Sequence, residues 1–196
     1  VCLPDGTEIW LNSGSTLTYP SDFSSENRSI SLKGEAFFDV RKNPSSPFHV
    51  SAGGRDIWVL GTKFNVNAYG GECPTEVMLV EGSVRLCSAT VSTMLVPGEK
   101  ATLTDKGSFT VDKVADYSPY TAWKDGRMVF KGETFSNLAK KLERRHNVII
   151  TIRDRNLARE RMTGEFTDED INEIMAILRK SMKFDYKILG NEIIVF

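Results

Sequence analysis

The residues of this sequence that could carry out chemistry are two histidines and a group of carboxylates. His49 and His146 are the only histidines, and their separation is far from the short spacing with which two imidazoles bind one metal ion. Two carboxylates in one cleft can cleave a glycosidic bond. Four acidic residues fall on predicted strands: Glu35, Asp39, Glu76 and Glu81. The sequence fixes no distance between these carboxylates, and the histidines lack a metal-binding spacing. We therefore expect no enzyme activity, no metal ion and no cofactor.

Structural roles explain these polar residues more simply. His49 alternates with Phe48 and Val50 on a predicted strand, which places it on the surface. His146 falls at the end of a predicted helix, where the helix dipole favours a positive charge. The acidic run Asp168–Asp170 falls at the start of another helix. Capping explains that run better than metal binding does.

Nucleophile and phosphate-binding motifs are absent from the sequence. No Gly-x-Ser-x-Gly turn presents a serine. The glycine pairs Gly53-Gly54 and Gly70-Gly71 lack the lysine and the hydroxyl residue of a phosphate-binding loop. A net charge of −1 gives no general attraction to nucleic acid or to an anionic membrane.

The cysteines leave the redox state open. Cys2, Cys73 and Cys87 cannot all pair within one chain, and they show no metal-binding spacing. An oxidising compartment would allow one disulfide. Three unpaired thiols are equally compatible with the sequence.

Tryptophan positions suggest a second kind of function. Trp10 alternates with Ile9 and Leu11, and Trp58 lies between Ile57 and Val59, so both side chains are predicted to face away from a core. Exposed tryptophan marks contact with sugars or proteins. A fold that buries both faces of some strands would instead place these rings inside.

The elements that position these residues change character along the chain. From Thr7 to about Val114, short alternating runs such as "TEIWLN" and "KFNVNAY" are separated by turn sequences such as Pro4–Thr7 and Glu81–Ser83. This pattern predicts an all-β domain over residues 1–117. A sandwich, a roll and a β-helix-like stack all remain open.

After Trp123 the spacing becomes helical. "TFSNLAKKLERRHN" and "TDEDINEIMAILRK" each place apolar residues on one face, and Thr167 with Asp170 resembles a capping box. Strand-like segments flank both helices, and "NEIIVF" ends the sequence. Residues 118–196 are therefore predicted to form a small α+β domain of two strand–helix–strand units.

Motifs in a fixed order resemble the FecR family of anti-sigma regulators. Those of the first part are "LPDGTEIWLNSGSTLTYP", "LKGEAFFDV", "PFHV", "VLGTKFNV", "VMLVEGSVRL" and "LVPGEKATL". The segment that follows, "AWKDGRMVFKGETFSNLAKKLERRHNVIITI" with "TGEF" and "EIMAIL", is similar to the C-terminal domain of Bacteroidetes-type members. That domain in turn resembles the short signalling domain of secretins and TonB-dependent receptors.

The resemblance implies a function in signal transduction and transcription regulation. The chain would be the periplasmic part of an inner-membrane protein, with the membrane helix and the segment that holds an ECF sigma factor upstream of Val1. Its partner would be the signalling domain of a TonB-dependent outer-membrane receptor. An extracellular carbohydrate-binding module that uses Trp10 or Trp58 is the alternative.

We expect the C-terminal domain to dock the partner in one of two ways. "NEIIVF" could extend the partner's sheet, because strands at chain ends often lie at a sheet edge. Alternatively, a basic helix face could meet acidic residues. The residues predicted to bind the partner are Arg144, Arg145, Glu192, Ile193, Ile194 and Val195. The cognate receptor, its nutrient and the oligomeric state are not predicted.

Overall fold

The computed structural model describes residues 1–71, 74–88, 91–104 and 107–196. It consists of two compact units, Val1–Lys124 and Asp125–Phe196. The second unit thus begins later than residue 118, where the sequence analysis divided the chain. Trp123 shows why, because its indole N–H donates to the Asn65 side chain at 3.2 Å within the first unit.

The first unit is all-β apart from a short helix near its end. One sheet contains β1 (Glu8–Leu11), β2 (Thr16–Thr18), β3 (Ser29–Asp39), β4 (Phe48–Ala52), β5 (Arg55–Val59), β6 (Lys63–Ala68), β7 (Glu76–Glu81), β8 (Val84–Cys87), β9 (Ser92–Leu95), β10 (Glu99–Leu103) and β11 (Phe109–Lys113). Helix α1 (Ser118–Thr121) and a 3₁₀ turn (Ala122–Asp125) follow. The predicted all-β class is confirmed, as one nearly closed sheet.

The long strand β3 organises this sheet. Its first half pairs with β2 and, in parallel, with β4, whereas its second half pairs with β1 and β6. Alternating residues of the strands fill one core. Phe38 and Phe64 are fully buried in it, with stacked rings whose centroids lie 4.8 Å apart. Trp10 and Trp58 alternate with core residues and remain partly exposed, which decides between the two placements that the sequence leaves open.

The second unit alternates strands and helices. Its elements are β12 (Met128–Thr134), α2 (Phe135–His146), β13 (Ile149–Ile152), α3 (Arg155–Arg159), β14 (Arg161–Phe166), α4 (Ile171–Met182), β15 (Tyr186–Leu189) and β16 (Glu192–Val195). The two predicted strand–helix–strand units are present, β12–α2–β13 and β14–α4–β15. The short helix α3 between them was not predicted.

Within the second unit, the two strand–helix–strand units share their sheets. Their first strands, β12 and β14, pair antiparallel, and their second strands lie in a three-stranded sheet of order β13-β16-β15. The apolar faces of both long helices pack into one core with these strands. Neither strand–helix–strand unit buries its apolar residues alone, which explains the repetition in the sequence.

Helix α4 begins later than the sequence suggested. The capping box uses Asp170 and Glu173, not Thr167 and Asp170. Asp170 has extended backbone and accepts from the amides of Asn172 and Glu173. Glu169 precedes the helix, where its carboxylate accepts the amide of Thr167. The run Asp168–Asp170 therefore serves the helix start, although one turn further along than expected.

Candidate functional site

The two arginines predicted to meet a partner lie in the last turn of α2. One guanidinium nitrogen of Arg145 donates to the carbonyl of Gly126 at 3.0 Å and also to the carbonyl of Thr167. These bonds connect α2 to the segments before β12 and after β14. Arg144 also has an interaction partner. Arg145 thus has a structural role, which the sequence pattern of a basic helix face did not reveal.

The prediction that the segment Glu192–Val195 lies at a sheet edge is wrong, so this strand is not available to a partner's main chain. As β16 it pairs antiparallel with β15 on one side and parallel with β13 on the other. The chain reverses tightly between Leu189 and Glu192, which brings the terminal strand beside β15 and between two neighbours. Because its main-chain groups face strands on both sides, β16 cannot extend a partner's sheet.

Alternation along β16 divides the predicted residues between two faces. Ile193 and Val195 are buried in the core of the second unit. Glu192 and Ile194 point to the opposite face, where Glu192 lies between Ile149 and Leu189 in the register of the sheet. The side chains of Ile149 and Leu189 are 52% and 48% exposed. Only half of the predicted strand residues therefore reach an accessible surface.

The edge formed by β13 is closed by a side chain. In the parallel pairing, the amide of Ile149 donates to the carbonyl of Asn191, and the amide of Arg153 donates to the carbonyl of Val195. Since alternate residues of a strand point their amides to opposite sides, the amide of Ile150 points away from β16. That amide donates to Oε1 of Glu143 in α2 at 2.7 Å. A charge-assisted bond of this kind is stronger than a neutral one. An approaching strand would have to displace the carboxylate.

The edge formed by β15 is open. Asp185 and Phe196 exchange two main-chain bonds of 3.0 and 2.9 Å, which sets the phase of the antiparallel pairing. Lys187 and Leu189 therefore bond to β16, whereas the N–H and C=O groups of Tyr186 and Ile188 point outward. Among the described residues, no other strand lies against β15, and its outward amides have no recorded acceptor.

Basic residues flank the open edge. Lys187 is exposed on β15, and Lys183 is exposed in the turn before it. Asp185, the acidic residue between them, forms an ion pair with Arg179 at 2.6 Å. Glu192 lies across from Leu189, not from Lys187. The edge thus presents unpaired main-chain groups beside a positive charge.

The carboxylates considered for catalysis are held apart in the first unit. Asp39 and Glu81 lie on either side of Lys63 across neighbouring strands. The hydrogen bond that Lys63 donates to Asp39, followed by the charge of that carboxylate, raises the pKa of Lys63. Glu76 forms an ion pair with Lys100. Asp39 and Glu76 are thus each paired with a lysine.

Glu35 has a structural environment of its own. It is buried, and it accepts hydrogen bonds from the amides of Asn12 at 2.8 Å and Asn65 at 2.9 Å. Asn65 in turn accepts from Trp123. This network connects β3 and β6 with the segments at either end of the unit.

Two tryptophans lie in settings that could contact a ligand. Trp10 is 37% exposed and lines a shallow cleft of about 700 Å³ together with Trp123 and Lys124. Trp58 is 39% exposed and stacks on His49 with centroids 4.2 Å apart. His49 bonds to Asp56 at 2.8 Å, which orients the imidazole beneath the indole.

The remaining candidates give no chemical centre in the part of the chain that the structure describes. Those residues contain no group of three or more histidine, cysteine or acidic side chains that could hold a metal ion. Cys2 and Cys87 are free thiols, and Cys73 lies outside the described residues. Burial, followed by the charge of Arg145, lowers the pKa of His146. Burial thus opposes the positive charge that the helix dipole favours at this position.

Among the described ranges, no helix is both long enough and apolar enough to cross a bilayer.

The sequence and structure match known proteins along the whole chain. Residues 1–85 match the family described as FecR protein, and residues 127–195 match the family described as FecR, C-terminal. The chain belongs to the FecR family. A comparison with curated proteins gave no match.

Two crystal structures share the fold. Both are described as an anti-sigma factor from Parabacteroides distasonis ATCC 8503, and both are 29% identical to this chain. The structure at 1.65 Å has a TM-score of 0.89, and the structure at 2.50 Å has a TM-score of 0.88. In both cases the match covers 100% of this chain and 92% of the other.

Proposed function

We propose that this chain is the signal-receiving part of a transmembrane anti-sigma factor. In the proposed pathway, it lies in the periplasm and contacts the signalling domain of a TonB-dependent outer-membrane receptor. That contact relays occupancy of the receptor to an ECF sigma factor, which is held by a segment upstream of Val1. The family and the structural neighbours support the broader class, a signalling protein of the anti-sigma type.

One observation carries the proposal. Both FecR families match in order, and a protein described as an anti-sigma factor has the same fold over 100% of the chain. The distribution of charged side chains in the described residues is compatible with binding to another protein through the second unit. In the first unit, Glu35, Asp39 and Glu76 are engaged in pairs or networks, whereas the second unit has an accessible strand edge beside lysines.

The two units suggest a division of labour. The first unit has a large, continuous core under one nearly closed sheet, which is a suitable scaffold. The second unit is smaller and receives the partner. Binding there would change the tension on the upstream membrane segment or its access to a protease.

The test is a binding measurement with the full chain. Signalling domains of the TonB-dependent receptors of the source organism are passed one by one over the immobilised chain. We expect one of them to bind saturably with one-to-one stoichiometry. If none of the domains binds, the proposed receptor contact is wrong.

A carbohydrate-binding module is the second candidate. The cleft that contains Trp10 and Trp123 favours it, because small-molecule sites are clefts lined by apolar and aromatic side chains. A glycan that binds the folded chain raises the melting temperature with its concentration. Loss of that shift in Trp10→Ala, with retention in Trp58→Ala, would assign the sugar to this cleft. A panel of glycans that leaves the melting temperature unchanged removes this candidate.

A further inference from the structure

We propose that β15 accepts an extended, acidic strand of the partner protein, which adds to the three-stranded sheet beside Tyr186–Leu189. The inference rests on the proposed function for the identity of the partner, the receptor's signalling domain. It specifies where that domain binds and what chemistry its binding segment must have.

Hydrogen bonding gives the position. The N–H and C=O groups of Tyr186 and Ile188 point away from β16, as the Asp185–Phe196 pair requires. A strand that lies alongside can bond to all of these groups without breaking any bond of the folded chain. Main-chain bonds of this kind supply affinity, and side chains at alternate positions supply specificity.

The β13 edge of the same sheet is less suitable for an added strand. On β13 the outward amide of Ile150 already donates to Glu143 at 2.7 Å. A strand that added there would break this bond and leave a carboxylate without its donor, at a cost in affinity. Within the described residues, the β13 edge is therefore obstructed at Ile150, whereas no bond obstructs the outward groups of β15.

Charge determines the kind of strand. Lys187 projects from the middle of β15, with Lys183 nearby, while Asp185 is paired with Arg179. Opposite charges across a strand pair are favourable, and like charges directly opposite are unfavourable. The incoming strand should therefore carry Asp or Glu opposite Lys187.

A second copy of the chain is disfavoured by the same lysine. The antiparallel register that uses the outward groups of both Tyr186 and Ile188 in each copy places Lys187 directly opposite Lys187. Lysine on an edge strand is a known protection against self-association. The edge thus rejects its own copy and accepts an acidic strand.

Apolar residues refine the recognition pattern. Leu189 lies on the same face as Lys187, two positions further along, and is 48% exposed. Ile149 is exposed on this face across Glu192. The bound strand should therefore have an apolar residue two positions from its acidic residue.

The test compares two proline variants in the full chain, with the receptor signalling domain that binds the wild-type chain as the probe. Ile188→Pro removes an outward amide of β15 and leaves the amides that bond to β16 in place. Because one main-chain hydrogen bond is lost, we expect the affinity to fall roughly tenfold. Ile152→Pro removes an outward amide of β13 and is the matched control, with the wild-type affinity. Circular dichroism melting confirms that each variant is folded.

A charge reversal provides a second test that does not depend on proline. Lys187→Glu should weaken binding, with the largest effect at low salt, because screening reduces the contribution of an exposed charge. Lys131→Glu, an exposed lysine on β12, is the matched control and should bind as the wild type does. If Ile188→Pro does not fold, this pair decides the result.

Each outcome has a defined meaning. Weakening in Ile188→Pro or Lys187→Glu, with unchanged controls, supports the β15 site. Wild-type affinity in both β15 variants overturns the β15 site while the proposed function stands. If no signalling domain binds the wild-type chain, the proposed function fails and the inference fails with it. A concentration-dependent dimer that Ile188→Pro abolishes would instead assign the edge to a second copy.

Discussion

The two units of this chain use their polar groups in opposite ways. In the first unit, polar side chains point inward and lock the structure: Arg28 and Asp5 form a buried ion pair, and Glu35 binds Asn12 and Asn65. In the second unit, Glu143 closes one sheet edge and the main-chain groups of Tyr186 and Ile188 remain available at the other. The hydrogen-bonding groups are thus satisfied inside the first unit, whereas some remain accessible at the edge that we propose as a docking surface.

The core of the first unit gives the largest expected effect. Phe64 is fully buried and stacks on Phe38. Phe64→Ala should lower the free energy of unfolding by about 3–5 kcal/mol, because it leaves a cavity and loses buried apolar area. Val111→Ala, at an exposed position of β11, is the control and should change stability by less than about 0.5 kcal/mol. Urea denaturation measures both, and a loss below about 1 kcal/mol for Phe64→Ala would contradict its place in the core.

A buried and an exposed ion pair sharpen the contrast between the units. Arg28, which bonds to Asp5 at 2.8 Å, also donates to the carbonyls of Arg41 and Ser46. Arg28→Met should therefore destabilise the chain by about 3–5 kcal/mol, since a buried carboxylate loses its partner.

The exposed pair Arg127–Glu165 of the second unit, at 2.9 Å, is the comparison. Arg127→Met should cost less than about 1 kcal/mol, because solvent screens the pair. Chemical denaturation of both variants gives the two values. Equal losses of stability in the two variants would contradict the difference between the buried ion pair of the first unit and the exposed ion pair of the second.

The pH dependence of the second unit provides an intermediate effect. Burial and then Arg145 lower the pKa of His146, against the opposite effect of Asp170. The unfolded chain therefore binds a proton first as the pH falls through about 6.5. Stability should decline from that pH down to the lower pKa of the folded chain and then level off. His146→Gln should have a flatter profile of melting temperature against pH, and a profile identical to that of the wild type would contradict this assignment.

The smallest expected effect is at the end of α4. Lys183 has a left-handed backbone with φ of 54°, which glycine adopts without steric cost. Lys183→Gly should stabilise the chain by roughly 0.5–1 kcal/mol, less a small loss of favourable charge at the helix end. Asn147→Gly at the end of α2 is the comparison, with a smaller gain because asparagine tolerates this conformation. Thermal melting measures both.

Sequence patterns predicted the elements well and their arrangement less well. Period-two alternation around Phe38 and Phe64 identified core strands, and helical spacing identified α2 and α4. The alternation of Trp10 and Trp58 with core residues is compatible with exposure, but it does not exclude a fold that buries both faces. These successes depend on local periodicity, which each element expresses alone.

The site depends on long-range pairing, which local patterns do not contain. "NEIIVF" was expected at an edge, yet a tight reversal and a parallel partner place β16 in the centre. The blocked amide of Ile150 depends on Glu143 from a different element. The roles of Arg145 depend on carbonyls far away in the sequence. A sequence signal for the true edge was available only in Lys187, a charge in the middle of an apolar strand.

Amide hydrogen exchange, followed by nuclear magnetic resonance on the full chain, tests the central claim most directly. In the free chain we expect the amide of Ile150 to exchange slowly, because Glu143 accepts it, and the amides of Tyr186 and Ile188 to exchange rapidly. When a receptor signalling domain binds, exchange at Tyr186 and Ile188 should slow, with that at Ile150 unchanged. Slow exchange at Tyr186 and Ile188 in the free chain, or unchanged rapid exchange there in the complex, would contradict β15 as the docking edge.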